Sequence, residues 1–267
     1  MKESIKKKIL SELNRRKKEI YSFGEILDIS GSKSANSARV IISRIVKDKR
    51  LISLKSGTYL YIPEGYQEGW TTSNFWIGAN IVDPYAISFW SALNHWGLTE
   101  QIPNTTYIQT TKSVKKSKIT MLNSRYQIIR LTEKRFFGIV KIWVASHQVN
   151  ITDPEKTLAD CLAFPQYCGG ISEAVKGLYN FYQTNQSKNI ISYARKMGQP
   201  ALKRLGYLLE LLEISNEDES VKIKSLITNP NSVALEPLLP TENSEWNSKW
   251  KLNVNITNRD LLNWKAK

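Results

Sequence analysis

The stretch "SKSANSARVIISRIVKDKR", Ser32 to Arg50, sets Asn36, Arg39, Val40, Arg44 and Lys47 among apolar residues that recur every three or four places. These side-chain types suit duplex nucleic acid. A guanidinium pairs with guanine O6 and N7, a carboxamide with an adenine edge, a valine touches a thymine methyl, and lysines neutralise phosphates. On a 3.6-residue wheel Ala38, Ile41, Ile42 and Ile45 gather on one side. Asn36, Val40, Ser43 and Lys47 lie opposite, with Lys33, Ser37 and Arg44 along one edge and Arg39 along the other. The pattern predicts a helix from Ser34 to about Asp48 whose polar face reads DNA. Just beyond it, Lys55, Ser56 and Thr58 stand at the tip of a predicted hairpin, placed to meet phosphate or the minor groove.

Other chemistries find little purchase. His95 and His147 are the only histidines, and neither has a Cys, Asp or second His at metal-ligand spacing, so no metal or cofactor is expected. Cys161 and Cys168 fit neither a redox CxxC nor half a zinc site and read as reduced, packed thiols. The glycine pair at 169 and 170 lacks the lysine of a phosphate loop, and Ser91 stands in no G-x-S-x-G elbow. A metal-dependent nuclease would place a lysine two residues after an acidic ligand, and no Asp or Glu here has one there. The chain is therefore read as a non-enzyme.

Charge supports the first reading. The net charge is +14 over 267 residues, and residues 1–66 hold 15 Lys/Arg against 7 Asp/Glu, more than half of the excess in a quarter of the length. A concentrated basic excess is the footprint of a nucleic-acid-binding module. The N-terminus lacks the apolar core of a signal peptide and no later segment approaches a membrane span, so a soluble, cytoplasmic protein is expected.

The elements that would position these residues follow from local signals. Ile5, Ile9, Leu10 and Leu13 predict a first helix. "SFGE" at 22–25 has capping-box form and opens a second, running through Ile29. Leu51–Leu54 and Thr58–Ile62 predict two strands, turned at Gly57. Helix, helix, turn, helix and a two-stranded wing make a winged helix-turn-helix over residues 1–66. The same fold used for protein contacts, with its polar face merely solvated, is the competing reading.

A linker is placed at 67–82 and a larger mixed α+β domain at 83–267. There Asp83 with Pro84 predicts a helix start, and "TTYIQTT", "YQIIRL", "FFGIVKIWV" and "QVNI" predict a mostly antiparallel sheet. Asp153 with Pro154 predicts a second helix start, followed by helices at "SEAVKGLYNFY", "NIISYARKM" and "PALKRLGYLLELLE". "SNEDES" reads as a solvated acidic turn. The overall class is α+β. Lys112, Lys115, Lys116 and Lys118, together with Arg195, Lys196, Lys203 and Arg204, are candidates for a second basic surface, with a solvated face as the plainer alternative.

"FWSALNHWGLTEQIP" at 89–103, "ITDPEKTLADCL" at 151–162, "YCGG" at 167–170 and "ALKRLGYLLELL" at 201–212 together resemble the AbiEi-type antitoxins of bacterial type IV toxin–antitoxin systems, also described as predicted transcriptional regulators of viral defence. The resemblance implies a winged helix that binds inverted repeats in the operon's own promoter, and a C-terminal antitoxin domain. It also implies a nucleotidyltransferase-like toxin as functional partner, countered without a stable complex, and abortive infection against phage. Promoter contacts would fall on Lys33 to Lys47 and Lys55 to Thr58, with two copies on the DNA. Two other functions stay open at this point: a winged-helix repressor that senses a ligand or partner with no toxin link, and a nucleic-acid-processing enzyme targeted by the winged helix.

Overall fold

The computed structural model of the chain describes residues 4–66, 72–184, 189–214 and 216–266. It divides into two compact units between Asp83 and Pro84. Both helices and mixed sheets are present, so the class is α+β.

In the first unit α1 (Ile5–Arg16) is capped by the Ser4 hydroxyl, which accepts from the Lys7 N–H. A short strand β1 (Ile20–Ser22) leads directly into α2 (Phe23–Ser30), whose capping box forms as its sequence predicts. Ser22 accepts from the Glu25 N–H, and the Glu25 carboxylate accepts from the Ser22 N–H at 2.8 Å. Gly31 ends α2 in the left-handed region at φ 65°, a conformation open to glycine at no steric cost. Then come α3 (Ala35–Lys47), β2 (Leu51–Lys55), β3 (Thr58–Tyr61) and α4 (Asn74–Ala79). The sheet runs β1-β3-β2, antiparallel throughout. Ile9 and Leu13 of α1, Ile26 and Ile29 of α2, and Ile42 and Ile45 of α3 bury their side chains with Tyr21, Leu51 and Tyr61. The third strand of this sheet, β1, has only three residues, too few for a two-residue alternation to show in sequence. The expected linker begins in residues 67–71, outside the described residues, and continues into α4, which belongs to the first unit.

The second unit begins with β4 (Ala86–Ile87), α5 (Phe89–His95), β5 (Thr105–Thr110), β6 (Lys118–Met121), β7 (Ser124–Arg130), β8 (Ile139–Val144) and β9 (His147–Thr152). These strands form one sheet in the order β6-β7-β5-β4-β9-β8. The sheet is mixed: β6–β7, β5–β4 and β9–β8 pair antiparallel, while β5–β7 and β4–β9 pair parallel. Helices α6 (Pro154–Ala163), α7 (Ile171–Thr184), α8 (Ile190–Met197), α9 (Gln199–Leu211) and α10 (Glu217–Leu226) follow. A small sheet of β10 (Val233–Ala234), β11 (Glu245–Asn247) and β12 (Leu252–Val254), then α11 (Asn258–Leu261), completes the unit. Its core joins Phe89 and Leu93, the inner faces of α6 to α9, and Trp250, whose ring lies so close to Gly206 of α9 that a Cβ there would sit 2.2 Å from it.

Two local expectations are corrected. Asp83 and Pro84 do not start a helix, because Ala86 and Ile87 are taken up as a buried strand between β5 and β9. The helix starts at Phe89 instead. The second-unit sheet is antiparallel in three of its five pairings, as the sequence predicts for most of it, with β5–β7 and β4–β9 the parallel exceptions. "SNEDES" is not merely a turn: Asn216 caps α10, accepting from the Glu219 N–H, and the acidic residues fill its first turn, where the helix dipole favours them. Ser215 lies outside the described residues. By contrast Asp153 caps α6 as predicted, accepting from the Lys156 N–H at 2.7 Å. No helix among the described residues is long and apolar enough to cross a membrane.

Candidate nucleic-acid interface

Helix α3 is positioned from both ends and from behind. The Ser34 hydroxyl accepts from the Ser37 N–H, Asp48 closes the last turn and forms an ion pair with Lys6 of α1, and Ala38, Ile42 and Ile45 are buried. Along its outward side, Val40 is 53% exposed, an apolar side chain held in solvent. Lys33, Ser34, Asn36, Ser37, Arg39, Ser43, Arg44 and Lys47 flank it, none of them buried.

The cations of this unit fall into two groups. On α1 and in the segments beside it, Arg15 and Arg16 share Glu12, Lys18 pairs with Glu25, and Arg50 reaches Glu64 at 3.6 Å. Hydrogen bonds from Arg15 and Arg16 bring the Glu12 carboxyl to about 2. Burial alone would raise Glu25, yet bonds from Lys18 and Ser22 bring it to about 2 as well. No ion pair among the described residues involves Lys33, Arg39, Arg44 or Lys47. Among the described residues, no carboxylate forms an ion pair with the outward face of α3.

Arg39 is held in a specific pose. Its Nη1 donates to Asn36 Oδ1 at 2.9 Å, and its guanidinium stands 5.3 Å from the centroid of the Phe23 ring. Phe23 also donates its backbone N–H to Gly57 O at 2.7 Å. Gly57, at φ 72°, turns β2 into β3. At this tip Ser56 is exposed, while Lys55 and Thr58 are half-buried, the register being irregular between Ser53 and Lys55. Phe23 is the residue the sequence did not single out. The capping box placed it at the first helical position, but neither the ring contact nor the bond to Gly57 has a local signal.

The second basic set is not one surface. Lys112, Lys115, Lys116 and Lys118 are exposed, on the β5–β6 connection and on β6, and Arg195 and Lys196 are exposed on α8. Lys203 and Arg204 are corrected outright, since both are buried. The Lys203 ammonium donates to Asn231 O. Arg204 donates to the carbonyls of Leu235 (3.0 Å), Leu162 (2.8 Å) and Ala234 (2.7 Å), and more weakly to Ala163 (3.4 Å). Burial brings the Arg204 guanidinium down to about 10, while the Glu236 carboxylate pulls the other way. These two cations join α9 to other segments of the core and offer nothing to an external anion.

A fully buried ion pair, Lys156 with Asp160 on α6, also carries no sequence signal of its own. Burial pushes the Asp160 carboxyl up to about 6, against the attraction of Lys156. Among the described residues no group of three His, Cys, Asp or Glu side chains is arranged to hold a metal ion.

With helices packed on a mixed sheet and a smaller helical unit ahead of them in the chain, this is an α+β protein. No protein-family model matches it, and no curated protein does. It is similar in fold to the crystal structure of the RV2827C protein from Mycobacterium tuberculosis, with a TM-score of 0.68 and 15% sequence identity, over 100% of this chain and 96% of that one. At such identity the likeness shows the fold alone.

Proposed function

We propose that residues 4–66 form a winged helix-turn-helix that binds duplex promoter DNA, and that the protein is a transcriptional autorepressor acting as the antitoxin of a type IV toxin–antitoxin pair. The observation that carries the DNA reading is the outward face of α3, where Arg39, Arg44 and Lys47 stand beside Asn36 and Val40 and enter no ion pair among the described residues. In this reading α3 enters the major groove and the Lys55–Thr58 tip lies on the flanking backbone. Inverted repeats would take two copies related by a two-fold axis. The antitoxin role, the nucleotidyltransferase-like toxin and the defence against phage rest on the sequence resemblance. No catalytic group is assigned, and the site of action is the cytoplasm.

Replacing Arg39, Arg44 and Lys47 together by alanine tests the DNA reading. Binding to the region upstream of the gene should weaken roughly 100-fold at moderate salt, and the log–log salt slope should flatten by about 0.9 for each phosphate left unneutralised. An unchanged slope, with the variant folded, excludes this face. Co-expression with the neighbouring toxin tests the other half: growth rescue should survive the loss of promoter binding if neutralisation resides in the second unit.

A further inference from the structure

The two edges of the six-stranded sheet are built differently. Strand β6 has four residues, includes Lys118, and follows Lys112, Lys115 and Lys116, all exposed. Flanking lysines and short length are devices that keep a sheet edge from pairing with another chain. Strand β8 has neither defence in like measure. Its sequence is "IVKIWV", six residues paired without a bulge to β9, with no proline and a single lysine. No residue of it is fully buried, Trp143 is 68% exposed and Val140 37%.

The hydrogen-bonding parity of this edge can be worked out. Two residues, Ala145 and Ser146, close the β8–β9 hairpin, so the flanking pair Val144 and His147 is a hydrogen-bonded one. Alternation then turns the N–H and C=O of Val140, Ile142 and Val144 toward β9, and those of Ile139, Lys141 and Trp143 away from it. Among the described residues no backbone or side-chain hydrogen bond outside the sheet reaches these outward groups.

We propose that β8 pairs antiparallel with β8 of a second copy of this chain, about a two-fold axis normal to the sheet that passes midway between Ile142 and its image. Such an axis keeps each side chain on its own face, so only residues of like parity can lie opposite one another. Two registers satisfy this while pairing five residues of each six-residue strand, one centred on Lys141 and one on Ile142. Centring on Lys141 sets two ammonium groups directly opposite, which is unfavourable. Centring on Ile142 places Lys141 opposite Trp143 of the other copy, twice, where the ammonium can lie against the indole face. It also pairs Ile142 with its own image and Val140 with Val144. The pairs formed by Lys141 and Trp143 are the ones whose backbone groups point outward, so they exchange hydrogen bonds. This charge and aromatic complementarity identifies a second copy as the occupant, and the contact is isologous, as closed dimers require. Such a dimer is independent of DNA binding by the first unit.

The test is made on the full chain without DNA. Sedimentation should show a concentration-dependent dimer, and Trp143→Pro should raise its dissociation constant roughly tenfold or more. Proline there removes an outward N–H and a largely exposed indole but no bond to β9, so far-UV circular dichroism and melting temperature should stay close to those of the parent. Ile142→Cys should give a disulfide-linked dimer under mild oxidation, since the axis sets residue 142 beside its image. Crosslinking through Lys141→Cys instead would overturn the register. A chain that sediments as a monomer at about 200 μM, well above a micromolar dissociation constant, and gives no Ile142→Cys crosslink would overturn the pairing itself.

Discussion

Arg44 and Lys47 on α3, and Lys203 and Arg204 on α9, are the same residue types on two helices of 13 residues each, yet their surroundings are opposite. On α3 the cations lie on the outward side, and no carboxylate among the described residues is paired to them. On α9 they are buried, and their donors end on backbone carbonyls of other segments. A cation among unmatched groups is open to an outside anion, whereas one whose donors are all spent inside the fold is structural. Net charge therefore overstates the exposed positive charge of the second unit, where Lys203 and Arg204 are buried.

The comparison can be broken first at Arg204. Arg204→Ala strands buried carbonyls of Leu162, Ala234 and Leu235 and should cost about 3 kcal/mol or more, seen as a large fall in the denaturation midpoint. Each α3 alanine variant, by contrast, should change stability by about 0.5 kcal/mol or less while weakening DNA binding. Should Arg204→Ala leave stability intact and reduce DNA affinity instead, the two helices would have been assigned the wrong way round.

A smaller effect is expected at Lys203. Lys203→Met keeps most of the volume and loses the bond to Asn231 O, at a cost of about 1 kcal/mol. Burial, helped by the nearby Lys251, holds the Lys203 pKa below its ordinary 10.5. The unfolded chain then binds more protons than the folded one as pH approaches 10.5, so this group's contribution makes stability rise with pH in that window. Denaturation curves should show that rise in the parent and less of it in Lys203→Met.

The slightest change sharpens the contrast within the first unit. Glu12→Gln releases Arg15 and Arg16 from their shared carboxylate. The Glu12 carboxyl is brought from 4.5 to about 2 in the folded chain, so its contribution is present above pH 4.5 and is lost as pH falls toward 2. Acid titration of stability should be shallower in the variant over that interval. If freeing those two arginines raises promoter affinity as much as the α3 alanines lower it, uncompensated charge alone, and not its place on α3, governs binding.

The first unit was legible because its signals are local. A serine three places before a glutamate, apolar residues at helical spacing, and a glycine between two alternating runs each act within a few residues. The outward set on α3 followed from the same wheel. Strand β1 and the role of Phe23 were not legible, since both depend on partners far along the chain, Tyr59 and Gly57 among them. In the second unit α6 to α9 were readable, whereas the fates of Ala86, Ile87, Lys203 and Arg204 were set by what packs against them. An amphipathic pattern names the apolar side of a helix, but α9 is enclosed on more than that side, and a cation on the remaining arc has no local mark of being covered.

The bond from the Phe23 amide to Gly57 O ties the start of one helix to the tip of the hairpin, and the Phe23 ring beneath Arg39 extends that tie to the next helix. Three stretches distant in the chain are thus joined through one residue. A substitution at residue 23 that removes the ring would disturb its contact with residue 39 directly, at the same position whose amide holds residue 57.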